Sequence, residues 1–302
     1  DPETGLTDGI LTRLSAQGEL PKIMYTHTSS EYWAGHGSLM HSNIAGDKDM
    51  AAPDEVRIYV ISGAQHALGA FPPVDNDADN YHGQHKFNTI EYRGLLRAAL
   101  TNLDRWVTTG EAAPPSQHPR IDDGTAVNPE GIEEAFGRIP GAKLPNPARR
   151  FTRLDFGPNP MVPTKTPAVI GKVFPHQVSA VDEDANEISG IRLPFITVPL
   201  ATYAGWNLRH PDIGGGGQVI GTGGASGGTL RGSMIPFPAT REKREASGDQ
   251  RQSIKERYDS KDQYLGLVKE ATKDLIEQRY LLDEDLDRIV DLAGEHYDYL
   301  TT

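Results

Sequence analysis

Two short segments rich in apolar and β-branched residues, 23–28 and 56–62, stand out in the pattern of hydrophobic and polar positions. Each ends at small or turn-forming residues, Ser29 and Ser30 after the first and Gly63 after the second. Runs of this length between turn residues are typical of strands, and a β-branched, almost unbroken apolar run such as 56–62 is typical of a buried parallel strand. The pattern therefore predicts two strands early in the chain.

Helical periodicity is strongest between residues 89 and 109 and returns near the end of the chain. In the first stretch the apolar side chains recur along one helical face, at Tyr92, Leu95, Leu96, Ala99, Leu100, Leu103 and Trp106. Gly110 ends this predicted helix. Residues 250–300 are also predicted to be helical, with a capping box at Ser253 and Glu256 and with Asp283 as the cap of the final helix. A short helix is predicted over 8–17.

Residues 121–165 are rich in Pro and Gly and show little periodicity, and a Gly-rich run covers 213–233. Between these, 177–181 and 188–196 have the composition of two strands joined by the polar turn 182–186. This part of the sequence therefore predicts a hairpin.

The length of the chain and this change in pattern bound its organisation. The chain has 302 residues, a length that is enough for one large domain or two ordinary ones. Of these residues 37% are hydrophobic, and the mean hydropathy is −0.50. We predict the α/β class, with residues 1–120 supplying strands and a helix of a parallel sheet with flanking helices. Residues 121–302 are predicted to form a mixed α+β extension of small β elements and two C-terminal helices.

Charge and cysteine content exclude several classes of function. The formal net charge is −12, and no segment combines Lys and Arg with interleaved aromatic residues, so nucleic acid is not a predicted partner. The chain has no cysteine, which excludes a disulfide framework and Cys-ligated metal sites. Lack of cysteine does not locate the protein, and a periplasmic or secreted location stays open. No apolar run reaches the ~18 residues of a membrane span.

The candidate chemistry lies where the two predicted strands end. Glu31 follows the segment 23–28, and His66 follows the segment 56–62. An acid after one strand and a histidine after a later one is the order of the last two members of a Ser–acid–His triad in one class of hydrolases. His66 is therefore the predicted general base, and Glu31 is the predicted carboxylate that orients it.

Other titratable residues in this region leave alternatives open. Asp47 and Asp49, in the loop before the second strand, are the alternative acids, because Asp is the commoner acid of such triads. Three histidines flank Glu31 in sequence, at positions 27, 36 and 41. They are interpreted as ordinary hydrogen-bonded histidines, with a role in lining the site as the alternative.

Several long strings carry a resemblance to a known family: SSEYW, SLMHSN, GAQHA, LRAALTNLDRWV, GIRLPFITVPLATYAGWNLR and GSMIPFPATR. On these strings the sequence resembles the bacterial α/β-hydrolase domain-containing proteins over most of its length. The resemblance implies the C-terminal part of an α/β-hydrolase fold. In that family the earlier strands of the sheet and a nucleophilic serine precede these segments. The resemblance therefore implies that the nucleophile lies on an upstream fragment. The same fragment is the expected partner that completes the sheet.

One serine motif does occur in this chain, as G-A-S-G-G over 224–228. A nucleophile elbow needs a strand before the serine and a helix after it, and the serine precedes the acid and the histidine in chain order. Ser226 has Gly-rich flanks and follows both predicted residues. We therefore interpret this segment as a loop and expect the serine and the oxyanion donors upstream.

Metal and phosphate motifs are incomplete. Asp75, Asp77 and Asp79 resemble the start of an EF-hand loop, but the Gly and Glu that such a loop needs are replaced by Asn80 and Lys86. The Gly-rich run is not followed by the Lys-Ser/Thr of a phosphate-binding loop. No cofactor or metal is predicted.

Two further patterns are compatible with either a purely structural role or a functional one. The pair His82-x-x-His85 lacks a carboxylate partner in a helix, so a catalytic metal there is not predicted. Tyr203, Trp206 and Asn207 lie in an apolar run, and we interpret them as core residues, with the wall of a substrate pocket as the alternative.

Together these features predict a serine-type acyl hydrolase that acts on a small-molecule substrate, with a carboxylic ester preferred. This chain would supply the base and the acid. The alternative is a binding or scaffold protein that keeps a hydrolase-like fold without turnover. A serine elbow in the upstream polypeptide distinguishes the two.

Overall fold

The computed structural model describes residues 5, 7–18, 20–78, 81–145, 151–159, 162–220 and 231–302. In chain order its strands are β1 (Ile23–Thr28), β2 (Val56–Ile61), β3 (Lys86–Phe87), β4 (Ala126–Val127), β5 (Thr152–Asp155), β6 (Val169–Val173), β7 (Val178–Ser179), β8 (Ala201–Ala204) and β9 (Ser233–Pro236). Its α-helices are α1 (Thr12–Ala16), α2 (Ser29–Trp33), α3 (Arg93–Thr109), α4 (Glu133–Gly137), α5 (Pro194–Thr197), α6 (Arg241–Ser247), α7 (Ile254–Arg257), α8 (Lys261–Glu277) and α9 (Leu286–Thr301). Short 3₁₀ turns are formed by Ser38–Met40, Pro129–Ile132, Pro211–Ile213 and Asp283–Asp285.

The two strands predicted early in the chain are confirmed, and they pair in parallel. β1 and β2 pair residue by residue, from Ile23 opposite Val56 to Thr28 opposite Ile61. The other edge of β2 bonds to the backbone of Gln117 and Ile191. Because the two strands end at the same level, the turns that follow them begin side by side.

β1 and β2 differ in how far they are covered. Most side chains of β2 are buried, whereas Tyr25, Thr26 and His27 of β1 are partly or fully exposed. Within the described residues, β1 pairs with β2 alone. β1 is therefore the edge strand of this parallel pair.

A second, antiparallel sheet joins distant parts of the chain in the order β3–β9–β8. Its middle strand pairs with β8 over four residues, with Tyr203 opposite Met234. Asn88, directly after β3, donates its side-chain N–H groups to the carbonyls of Gly63 and Ala204 at 2.6 and 3.1 Å. This sheet therefore bonds directly to the turn that follows β2.

The hydrophobic core lies on both faces of β2. One cluster contains Tyr59 and Ile61 together with side chains of α3, β8, α8 and α9. The other contains Val60, Trp33 and Trp206, and the two indole rings lie 5.5 Å apart between centroids. Because alternate residues of a strand point to opposite faces, β2 is covered on both sides, as strands of parallel sheets usually are.

The helix predicted over 89–109 is present but begins later, at Arg93. The Asn88 side chain accepts the Ile90 N–H at 2.9 Å, and such a local bond holds the backbone in a turn rather than a helix. Gly110 ends the helix with a φ of 79°, as predicted. The short helix predicted over 8–17 spans Thr12–Ala16.

The predicted hairpin is only half correct. The turn is present, since the Asp182 N–H donates to the Asn186 carbonyl at 2.8 Å and the Asp182 carboxylate accepts two further backbone N–H groups. The second arm, predicted as a strand over 188–196, is wrong: Ile191 forms one parallel bridge to Ile61, and Pro194 starts α5. Proline has no N–H for a sheet but fits the first turn of a helix.

The C-terminal helices are present, with one cap misassigned. The capping box is confirmed, because the Ser253 N–H and hydroxyl donate to Glu256 at 3.0 and 2.7 Å. Asp283 does not cap the final helix. Instead a 3₁₀ turn precedes α9, and the carboxylate of Asp285 accepts the Leu282 N–H. Among the described residues, no helix combines the length and apolar character needed to cross a bilayer.

Candidate active site

The carboxylate of Glu31 is held by the first turn of α2, directly after β1. The N–H and hydroxyl groups of Thr28 both donate to its Oε2 atom, at 2.5 and 2.7 Å. In return the Thr28 hydroxyl accepts the Ser30 N–H at 3.3 Å. This is a capping box, which satisfies backbone donors at a helix start. Capping occupies Oε2 and leaves Oε1 to face another partner.

The backbone of His66 is fixed on both sides after β2. Its N–H donates to Oγ of Ser30 at 2.9 Å, and its carbonyl accepts the hydroxyl of Tyr92 at 2.5 Å. Ser30 belongs to α2, which carries the acid, and Tyr92 directly precedes α3. The histidine is therefore positioned by the same helix that holds Glu31.

The side chains of Glu31 and His66 form a close pair. Oε1 of the carboxylate lies 2.6 Å from Nδ1 of the imidazole. Burial alone would raise the pKa of Glu31, but hydrogen bonds from His66 and Thr28 outweigh it and hold that pKa below its ordinary value. Glu31 is therefore ionised at neutral pH. Since a carboxylate only accepts, Nδ1 must carry the proton.

This arrangement leaves the other imidazole nitrogen, Nε2, free to accept a proton. The histidine side chain is 58% exposed, whereas the Glu31 side chain is only 16% exposed. A sheltered, ionised carboxylate stabilises the positive charge that His66 would gain. The pair therefore has the geometry of a general base and its orienting acid.

A buried carboxylate that the sequence did not reveal, Glu187, links the two turns that carry this pair. Its Oε1 atom accepts the hydroxyl of Ser29 at 2.5 Å, and its Oε2 atom accepts the Gly63 N–H at 2.7 Å. Burial raises the pKa of Glu187 to about 7, despite these two hydrogen bonds. No motif surrounds Glu187 in sequence, so only the fold shows its position.

Gly205 lets β8 approach the turn of Glu31 closely. A Cβ atom on Gly205 would lie 2.4 Å from the backbone nitrogen of Ser30 and 2.6 Å from the carbonyl carbon of Ser29. The Gly205 carbonyl also accepts the Ser30 hydroxyl at 2.5 Å. A larger residue would push this turn, and therefore Glu31, away from its position.

The alternative acids, Asp47 and Asp49, bond elsewhere. Asp47 accepts the side-chain amide of Asn43 at 2.6 Å. Asp49 accepts the backbone N–H groups of Ile121 and Asp122 at 3.1 and 3.0 Å. The structure therefore brings Glu31, rather than either aspartate, to His66.

The three histidines that flank Glu31 in sequence lie in different surroundings. His41 is buried, and its Nε2 atom lies 2.8 Å from the hydroxyl of Tyr32. Burial, reinforced by His118, lowers the pKa of His41 to about 4, so it is neutral at pH 7. His36 is exposed and contacts Phe151 edge-on. The third, His27 on β1, is half-buried and lies edge-on to Tyr32. The backbone N–H of His36 donates to the Glu31 carbonyl at 3.3 Å, but among the described residues no hydrogen bond joins the side chains of these histidines to the side chains of the pair.

The other residues singled out by sequence either make no hydrogen bond to the side chains of this pair among the described residues or lie outside them. Tyr203, Trp206 and Asn207 are buried in the core. The carboxylate of Asp77 pairs with Arg231 at 2.8 Å, and Asp79 of the same motif lies outside the described residues. The motif over 224–228, including Ser226, lies outside the described residues.

A cavity of about 610 Å³ lies between residues 69–71 and α9. Glu91, Arg93 and Arg288 line it, and neither Glu31 nor His66 does. Its charged lining includes an ion pair between Glu91 and Arg288 at 2.8 Å. The cavity is therefore not assigned to the acid–histidine pair.

An acid after one parallel strand and a histidine after the next is the arrangement found in the α/β-hydrolase class. A family model for the alpha/beta hydrolase domain matches residues 10–291. The chain belongs to this family, which confirms the resemblance seen in its sequence strings and indicates a hydrolase. Comparisons with curated proteins and with solved structures found no match.

Proposed function

We propose that this chain acts in a serine-type acyl hydrolase, with His66 as general base and Glu31 as the carboxylate that orients it. The observation that carries the proposal is the 2.6 Å contact between Nδ1 and Oε1. Both side chains follow neighbouring parallel strands and are held by backbone hydrogen bonds. Such rigid mounting is what proton transfer within a triad requires.

In the proposed reaction, Nε2 of His66 takes the proton of a serine hydroxyl while the serine oxygen attacks the substrate carbonyl. Ionised Glu31 stabilises the imidazolium. When the tetrahedral intermediate collapses, the bond to the leaving alcohol breaks and that oxygen takes the proton from Nε2. A water molecule, deprotonated by His66 in the same way, then attacks the acyl group. The bond between the acyl carbon and the serine oxygen breaks, that oxygen takes the proton back from Nε2, and the carboxylic acid leaves.

We place the nucleophilic serine on polypeptide upstream of this chain, so that the chain corresponds to the C-terminal part of the hydrolase fold. Within the described residues, no serine hydroxyl bonds to the His66 ring. The hydroxyl of Ser30 is already engaged, since it accepts the His66 backbone N–H and donates to the Gly205 carbonyl. The alternative nucleophile in this chain is Ser226.

One edge of β1, which pairs with no other strand among the described residues, and one face of α3 support this placement. Leu96, Leu100 and Val107 are 39%, 69% and 64% exposed and fall on one face of the helix. α3 packs beside β1. An unpaired parallel edge next to an apolar helical stripe is a surface that folded proteins normally cover. An upstream segment would pair with β1 and cover this stripe.

A carboxylic ester is the proposed substrate class. The choice follows from the reaction that this fold and triad most often perform, which is an analogy at the level of the fold. A binding or scaffold protein without turnover is the competing function.

Labelling with a fluorophosphonate probe tests the proposal on the complete protein, including any upstream polypeptide. We expect one serine to be modified, peptide mapping to place it before residue 1, and labelling to survive Ser226→Ala. Modification of Ser226 itself would overturn the placement of the nucleophile. Absence of any labelled serine would favour the binding or scaffold function.

The proposed contact of α3 with upstream polypeptide predicts a large effect of Leu100→Asp on the complete protein. A charge placed in a buried apolar contact should lower the melting temperature by about 5 °C or more. Leu267→Asp on α8 is the matched control, since Leu267 is 46% exposed and should tolerate the change. Equal, small shifts for both variants in thermal unfolding would show that the α3 stripe faces solvent.

A further inference from the structure

Two segments far apart in sequence meet in a short antiparallel ladder. Gly83 bridges to Arg209, and the His210 N–H donates to the His82 carbonyl at 2.8 Å. This register places His82 and His210 directly opposite each other. Side chains of opposed residues share one face of a ladder and lie close together.

The two imidazoles and a carboxylate converge at this position. The rings of His82 and His210 lie 3.9 Å apart between centroids and within 10° of parallel. Asp212, in the 3₁₀ turn that His210 caps, places Oδ2 3.3 Å from Nδ1 of His210. One potential ligand atom from each of the three residues lies within 4.8 Å of the others.

We propose that His82, His210 and Asp212 bind a divalent transition-metal ion, with zinc as the representative ion. Two imidazole nitrogens and one carboxylate oxygen are ligands that Zn²⁺, Ni²⁺ and Cu²⁺ accept readily. Ca²⁺ and Mg²⁺ prefer all-oxygen sites and do not suit this set. The site is separate from Glu31 and His66, whose proposed reaction uses no metal.

Binding requires a small rearrangement that this site permits. Zinc ligands lie at about 2.0–2.2 Å from the ion, so neighbouring donors must approach to about 3.4 Å. A nitrogen lone pair lies in the plane of its ring, so the two parallel rings must tilt to point at one ion. His82 and His210 are half-buried and Asp212 is exposed, so this movement does not disturb the core.

Binding would have a structural consequence. The ion would join the loop before β3 to the segment after β8, which are otherwise connected here by backbone hydrogen bonds. A ligand that binds only the folded arrangement stabilises it in proportion to the logarithm of its concentration. The bound ion therefore acts as a clamp between the two segments.

The sequence does not show the partner of His82. The motif His82-x-x-His85 suggests a pair, but three residues along an extended chain place the two side chains on opposite faces. The His85 N–H bonds to the side chain of Asn207 at 3.3 Å, and burial lowers the pKa of His85. The partner that shares a face with His82 is His210, which only the ladder register shows.

Titration of the chelator-treated complete protein with zinc chloride tests the proposal by calorimetry. We expect one equivalent to bind and the melting temperature to rise, with no such response to magnesium. His82→Ala, His210→Ala and Asp212→Asn should each weaken zinc binding at least tenfold. His36→Ala, which removes an exposed histidine elsewhere, should leave it unchanged. Circular dichroism confirms that each variant is folded.

Three outcomes would overturn the proposal. The first is that the wild-type protein shows no zinc binding below millimolar concentration. The second is that all three ligand variants bind zinc as tightly as the wild type. Alternatively, His66→Ala would abolish binding while the ligand variants retain it, which would assign the ion to the acid–histidine pair. Because the readout is binding, failure here leaves the proposed hydrolase function untouched.

Discussion

Replacing Glu31 with Gln should lower the rate of fluorophosphonate labelling of the complete protein by about 10³-fold or more, with the fold intact. Gln also suits the capping box with Thr28, so α2 should keep its start. The change removes the negative charge that stabilises the imidazolium of His66. The new amide also donates to Nδ1, which would place the ring proton on Nε2, where it blocks proton transfer.

Two further variants frame this prediction. His66→Ala removes the base itself and should reduce labelling at least as much as Glu31→Gln. His36→Ala removes an exposed side chain that makes no hydrogen bond with the pair, keeps the backbone N–H that donates to the Glu31 carbonyl, and should label at the wild-type rate. If Glu31→Gln labels within a few-fold of wild type while unfolding at the same temperature, the carboxylate does not serve as the acid.

Replacing Glu187 with Ala should both destabilise the protein and slow labelling. It leaves the buried Gly63 N–H and Ser29 hydroxyl without their partner, which costs about 3 kcal/mol in the free energy of unfolding. The turns that carry Glu31 and His66 lose their common contact, and a displacement of about 1 Å between reacting groups costs about 10²-fold in rate. Glu187 would thus act as a positioning residue. Denaturant unfolding and labelling kinetics measure the two effects.

The raised pKa of Glu187 gives this contribution a pH dependence with a definite sign. The folded-state pKa of about 7 lies above the ordinary value of 4.5, so between these values the folded state holds a proton that the unfolded state has released. The contribution of Glu187 to the free energy of unfolding is therefore fully present below pH 4.5 and is lost as the pH rises through 7. The full change is about 3 kcal/mol.

Glu187→Gln is the matched variant, because a neutral amide resembles the protonated acid. Its oxygen can accept the Gly63 N–H while its N–H donates to the Ser29 hydroxyl. We expect near-normal labelling and a weaker loss of stability between pH 5 and 8 than in the wild type. If Glu187→Gln reproduces both defects of Glu187→Ala, Glu187 is required for some reason other than this linkage.

The elements that the sequence predicted correctly are those with strong local signals. The strands β1 and β2 follow from apolar runs between turn residues, and the C-terminal end of α3 follows from Gly110. The capping box at Ser253 needs only residues within one helical turn. The sequence also singled out Glu31 and His66, whose side chains prove to lie 2.6 Å apart.

Errors arose where a distant partner overrides a local pattern. The stretch 188–196 has the composition of a strand, but its backbone bonds to β2 at one residue and then turns into α5. Asp283 has the chemistry of a cap, yet Asp285 accepts the N–H of Leu282 and also pairs with Arg97 of α3. In both cases a contact with another element decides the local conformation.

By itself, the sequence determined the family, the two parallel strands and the order of acid and histidine along the chain, because each depends on neighbouring residues. Only the tertiary structure decided which carboxylate faces His66, that Glu187 joins the two turns, and that His82 meets His210. Those pairings depend on how strands and loops from distant parts of the chain pack together. Residues that meet in this way share no periodicity or spacing in the sequence from which their contact can be predicted.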